Sequence, residues 1–124
     1  MVKKALLLVG LTPDGLWLDL VSRALKALGA AYELRTSSTC ETGDAARYEL
    51  IVIDAATAGP ELVPLTRQLH KECPIVPILV VSASPTWQQA REVFLAGAAD
   101  YIRKAFDERA IRASLEELLG KRGG

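Results

Sequence analysis

The sequence predicts a three-layer α/β sandwich built on a five-stranded parallel sheet, and three observations predict it. Residues 5–9 (ALLLV), 50–53 (LIVI) and 78–81 (ILVV) are short, continuous apolar runs, as expected of strands buried on both faces. Residues 32–36 (YELRT) and 101–104 (YIRK) alternate apolar and charged side chains, which suits sheet edges. Segments of helical periodicity separate these runs. Strand and helix therefore alternate along the chain, the pattern of a parallel sheet with helices on both faces.

The elements follow in order. After the first strand, a helix carries Trp17, Leu20, Val21, Ala24 and Leu28 on one face, with Asp19, Ser22, Arg23 and Lys26 opposite. Thr12 before Pro13 suits an N-cap followed by proline in the first turn, and Gly29 supplies a stop. The second strand precedes a short helix expected between residues 39 and 47. The third helix carries Leu62, Leu65 and Leu69, with Pro64 in its first turn. The fourth starts at Ser84-Pro85, shows Trp87, Ala90 and Phe94, and ends at Gly97. The fifth runs from about Asp107 to Leu119, turns Ile111, Leu115 and Leu118 inward, and ends at Gly120. Glu108–Arg112 and Arg112–Glu116 are spaced to pair along it. Trp17 and Trp87 are both expected in core or rim packing. His70, among Gln68, Lys71 and Glu72, is expected as a solvated surface residue.

Right-handed crossovers leave few topologies, and charged edges at strands two and five select the flavodoxin-like order 2-1-3-4-5. Ligands of such sheets bind outside the carboxyl ends of the strands, where the order reverses. Asp54, Ser82 and Lys104 stand at those ends and are expected to converge on one pocket. A carboxylate, a hydroxyl and an ammonium are the parts needed to accept, orient and neutralise a phosphoryl group.

Bulk properties set the remaining bounds. A chain of 124 residues, half of them apolar, suits one domain with one core. Residues 1–120 are expected to form it, with 121–124 as a flexible tail. Acidic and basic residues balance at 15 each, which gives no argument for nucleic acid or an anionic membrane. No apolar stretch is long enough to span a bilayer. The run after Lys3-Lys4 is broken by Thr12-Pro13-Asp14 too early for a signal peptide. A cytoplasmic location follows as the expectation, with Cys40 and Cys73 reduced and lacking metal-ligand spacing. With no nucleophile–base pair and no metal cluster in view, an enzyme acting on an external substrate is not expected.

The segment Ser82-Ala83, then Gly97-Ala98-Ala99-Asp100-Tyr101-Ile102-Arg103-Lys104-Ala105-Phe106, resembles the second half of a response-regulator receiver domain. The spacing from Ser82 to Lys104 matches that family without a gap. Residues 48–54 (YELIVID) resemble the strand that ends in its phosphoacceptor aspartate. The resemblance covers nearly the whole chain and is weakest before Tyr48. It implies a CheY-like fold of five strands and five helices in a two-component phosphorelay. It puts Asp54 at the phosphoacceptor position, Ser82 at the hydroxyl switch and Lys104 at the phosphoryl-contacting lysine. Tyr101 matches the aromatic that changes rotamer with the switch. It also implies signalling through the surface of the fourth helix, fifth strand and fifth helix. On that surface Asp100, Arg103, Arg112 and Glu116 are candidate contacts for a protein partner, such as a histidine kinase or output domain, or for a second copy.

Two departures qualify that likeness. The family ends its first strand with two adjacent acids that help to hold magnesium, and here Gly10 and Leu11 stand in their places. Magnesium demands several oxygen ligands near octahedral geometry, and Asp54 alone is a poor site. Charge on a transferred phosphoryl group would go without that neutralisation. Asp14, the nearest acid, suits a helix N-terminus better than a metal. Ala105 also stands where the family has proline, so the preceding bond is expected to be trans. The leading expectation is a degenerate receiver, weak or lacking in magnesium binding, that works by protein contact. One alternative is an active receiver phosphorylated on Asp54 by a histidine kinase. The other is a flavodoxin-like domain that binds a small molecule, although no glycine-rich phosphate loop follows the first strand.

Overall fold

The computed structural model describes residues 3–8, 15–35, 48–104 and 107–119. In chain order the elements are β1 (Lys3–Leu8), α1 (Gly15–Ala27), β2 (Ala30–Arg35), β3 (Leu50–Asp54) and α2 (Ala55–Ala58). A 3-10 turn (Gly59–Glu61) leads into α3 (Leu62–Glu72), followed by β4 (Ile78–Ser82), α4 (Trp87–Ala96), β5 (Asp100–Arg103) and α5 (Glu108–Leu119). The strands form one sheet in the order β2-β1-β3-β4-β5, every neighbouring pair parallel. This is the expected flavodoxin-like α/β class. The expected helix between residues 39 and 47 lies outside the described residues. So do Gly10, Leu11, Asp14, Cys40, Ala105, Phe106 and the tail. The short α2, directly after β3, was not foreseen.

Strand periodicity divides the core. Successive strand side chains point to opposite faces, so alternate residues share a layer. Leu50 and Val52 of β3 and Leu79 and Val81 of β4 pack with Trp17, Val21, Ala24 and Leu25 of α1, and with Ile111, Leu115, Leu118 and Leu119 of α5. Ile51, Ile53, Ile78 and Val80 pack on the opposite face with Leu62 and Leu69 of α3 and Val93 of α4. Both faces of β3 and β4 are therefore buried, which is why those strands read as unbroken apolar runs.

Helix faces differ from the sequence reading on α3 and α4, and on α5 the expected ion pairs do not form. Thr66 is fully buried on α3, where the periodicity pointed to Leu65; its Oγ1 donates to the Leu62 carbonyl at 2.7 Å, so burial leaves no unmet polar group. On α4, Trp87 is 91 % exposed, not core or rim, and Val93 and Ala96 make the buried stripe. The sheet and α3 lie beneath that stripe, which turns Trp87, Phe94 and Leu95 outward. α4 starts at Trp87, later than the expected Ser84-Pro85, and Thr86 caps it, its Oγ1 accepting from the Gln89 N–H at 3.1 Å. The pairs Glu108–Arg112 and Arg112–Glu116 form no ion pair among the described residues, leaving α5 to its buried apolar stripe. His70 is half-buried rather than solvated, because it packs over Gly97, the left-handed C-cap of α4. Among the described residues no helix is long and apolar enough to cross a membrane.

Candidate functional site

Register assembles the site at the carboxyl edge of the sheet. Leu8 pairs with Ile53, one residue before Asp54, and Asp54 pairs with Val81. Asp54 has the same parity as Leu50 and Val52, so it falls on the face covered by α1 and α5. Lys104 follows Ile102 by the same two-residue step, and Ile102 packs on that same face. The Lys104 backbone is anchored by its N–H, which donates to the Ser82 carbonyl at 2.8 Å.

The two side chains meet. Lys104 Nζ lies 2.8 Å from Asp54 Oδ2, with side-chain exposures of 7 % and 1 %. Asp54 Oδ1 accepts from the Ala56 N–H at 3.0 Å, which makes Asp54 the N-cap of α2. Both carboxylate oxygens are thus engaged, one by a charge and one by a backbone donor. The Lys104 ammonium also stands over the Trp17 ring, 5.0 Å from its centroid. Trp17 is itself 3 % exposed, so the cluster is nearly dry. The sequence placed Trp17 on the inner face of its helix; nothing in its periodicity signalled contact with a lysine far along the chain.

Ser82 does not join this cluster through its side chain, contrary to the expected convergence. Its parity is that of Ile78 and Val80, which face α3 and α4. Its Oγ accepts from the Ser84 N–H at 3.2 Å and satisfies the turn after β4. Tyr101 packs on that same side. Its hydroxyl donates to Gln89 Oε1 at 2.6 Å and accepts from the Thr86 N–H at 3.3 Å, tying β5 to the first turn of α4. Ser82, Thr86 and Gln89, with Ala55, Ala56, Ala83 and Ser84, line a shallow open cleft. The candidate residues therefore split into a closed Asp54–Lys104 pair on the α1/α5 side and a hydroxyl-lined cleft on the α4 side.

The proposed contact surface also differs in part. Arg103, Arg112 and Glu116 are exposed, but Asp100 is half-buried and its Oδ1 accepts from the Tyr101 N–H at 2.8 Å. The largest exposed apolar groups near it are Trp87, Phe94 and Leu95 of α4, which the sequence reading had not placed outward.

A five-stranded parallel sheet of this order, with an aspartate ending β3 and a lysine after β5, is similar in architecture to CheY-like receiver domains. No family model matches the chain. It is similar to the two-component response regulator PhoP of Pseudomonas aeruginosa, 35 % identical over 77 residues; the match spans 62 % of this chain and 34 % of that protein. Among solved structures it superposes on a CheY-like receiver domain protein from Methanospirillum hungatei with TM-score 0.78 and 20 % identity, covering 98 % of this chain and 97 % of the other. It also superposes on an atypical orphan response regulator described as having a phosphorylation-independent regulatory mechanism. There the TM-score is 0.74 and the identity 22 %, over 94 % of this chain and 95 % of that one. The chain spans about a third of the curated relative, so the remainder of that protein lies outside the likeness.

Proposed function

We propose that this chain is a receiver-type signalling domain that works by protein contact, without phosphoryl uptake at Asp54. The observation that carries the proposal is the closed pair: Asp54 is 1 % exposed, with one oxygen on Lys104 and the other on the Ala56 N–H. A carboxylate so engaged is a poor nucleophile, because attack must first break a buried ion pair. The residues present do not fit the family's divalent ion. Gly10 and Leu11, where the family has two acids, bring no carboxylate.

The contact surface is the α4–β5–α5 face. Trp87, Leu95 and Phe94 of α4 are 91, 76 and 47 % exposed, and the charged Arg103 of β5 and Arg112 and Glu116 of α5 are exposed as well. Exposed aromatic groups ringed by charge mark protein-binding surfaces. The partner is an output domain, a histidine kinase or a second copy of the domain, in a cytoplasmic setting. Where the domain forms a dimer through this face, Arg112→Glu is expected to shift it to monomer in sedimentation velocity. An unchanged profile would remove Arg112 from the contact.

The test of the proposal is a two-dimensional amide spectrum recorded before and after magnesium with beryllofluoride, a phosphoryl mimic. The expected result is an unchanged spectrum around Asp54, Ser82 and Lys104. Shifts clustered there and reaching Tyr101 would overturn the proposal in favour of an active receiver phosphorylated on Asp54. In the parent pocket, Asp introduced at both Gly10 and Leu11 should supply the missing ligands and create magnesium binding, read as magnesium-dependent shifts around Asp54 that the parent lacks. A small-molecule role has less support. The apolar cavity beside Trp17, lined by Val52, Val81 and Leu115, has a volume of about 20 Å³, far too small for a nucleotide.

A further inference from the structure

We propose that Trp17 is the positioning residue of this pocket: its indole face holds the Lys104 ammonium against Asp54, making Lys104 the resident counter-ion. The inference rests on the reading above, in which neither a metal nor a phosphoryl group takes that place. An ammonium that leaves water loses its hydration and needs compensation from its new surroundings. Asp54 Oδ2 supplies one side at 2.8 Å. The electron-rich face of Trp17 supplies another, its centroid 5.0 Å away and inside the roughly 6 Å reach of a cation–π contact. An aliphatic side chain at position 17 would fill the core but offer no charge compensation. The Lys104 backbone is already pinned to the Ser82 carbonyl, which sets where the stem begins. The ring then decides where the head rests within the stem's reach. Three separated segments meet at this point: α1, the end of β3 and the residue following β5.

The test is a double-mutant cycle with Trp17→Leu, Lys104→Met and their combination, read by urea unfolding and paired with lysine side-chain NMR. A desolvated cation–π contact predicts coupling of about tenfold in the folding equilibrium constant. The Lys104 ε-methylene protons, one bond from an ammonium that stands over the ring, should lie upfield of those of the other lysines. Trp17→Phe, which keeps a smaller aromatic face, should retain part of both effects, and Trp17→Leu should lose both. If Trp17→Leu fails to fold, the parent spectrum and Trp17→Phe still decide. A coupling under about threefold, or a Lys104 methylene resonating with the other lysines, overturns the proposal. All measurements are made without magnesium or beryllofluoride. Binding of the phosphoryl mimic in the separate titration would thus revise the pocket's proposed function and leave this result standing.

Discussion

Lys104→Met is expected to lower the stability of the domain by about 3–5 kcal/mol, the usual cost of removing one partner from a buried ion pair. Methionine nearly matches the lysine stem in length and fills the same channel, so lost packing contributes little. What changes is the environment of Asp54. Its carboxylate is 1 % exposed and would keep the Ala56 N–H while losing the charge 2.8 Å away. Water cannot replace that charge without opening the sheet edge. With a slope of about 2 kcal/mol per molar, typical of small domains in urea, the midpoint should fall by about 1.5–2.5 M. Asp54→Asn combined with Lys104→Met removes both charges and should recover more than half of the loss, because no buried charge is then left unpaired. A Lys104→Met loss below about 1 kcal/mol, the range of exposed pairs, would show that the pair is solvated in solution. The proposed function would then lose its carrying observation.

Gly97→Ala is the second large effect, expected to cost about 2–4 kcal/mol from two independent sources. Gly97 closes α4 with φ 117° and ψ 8°, a left-handed conformation that L side chains rarely adopt. A Cβ built there would also lie 2.6 Å from the His70 Cβ, well inside contact distance. For a domain of this size the melting temperature should fall by about 10 °C. The two sources separate in combination: measured against His70→Gly as the reference, Gly97→Ala leaves only the backbone cost, because the overlapping His70 side-chain atoms, Cβ included, are gone. Full recovery in the double variant would show that the backbone at position 97 relaxes freely, and no recovery would show that His70 is not the obstacle.

Much of the fold was legible because its local signals agree. Unbroken apolar runs marked β3 and β4, and both prove buried on two faces. Gly29 and Gly97 announced helix ends, and both have positive φ. Ile111, Leu115 and Leu118 read as the inner stripe of α5 and are buried. The misreadings have one physical origin. Helical periodicity shows which residues share a stripe, but α4 has two neighbouring apolar stripes. Trp87 with Phe94 and Val93 with Ala96 are equally plausible inward faces until the sheet and α3 select one. Thr66 was overlooked for a related reason: a hydroxyl is polar by composition, yet it can spend its hydrogen bond on its own helix and be buried.

The candidate site divides along the same line. The sequence by itself determined that Asp54 ends a central strand, that Ser82 and Lys104 stand at strand ends, and that no acids occupy positions 10 and 11. Those are properties of residue type and of position within one element. The convergence of Asp54 and Lys104 was also expected; only the tertiary structure decided that they close under Trp17, while Ser82 turns its hydroxyl to its own strand-end turn. Strand alternation fixes the side to which each residue points relative to its own strand. Which side of one strand lies beside which side of another, and which helix covers it, depends on sheet register and layer packing between segments about fifty residues apart.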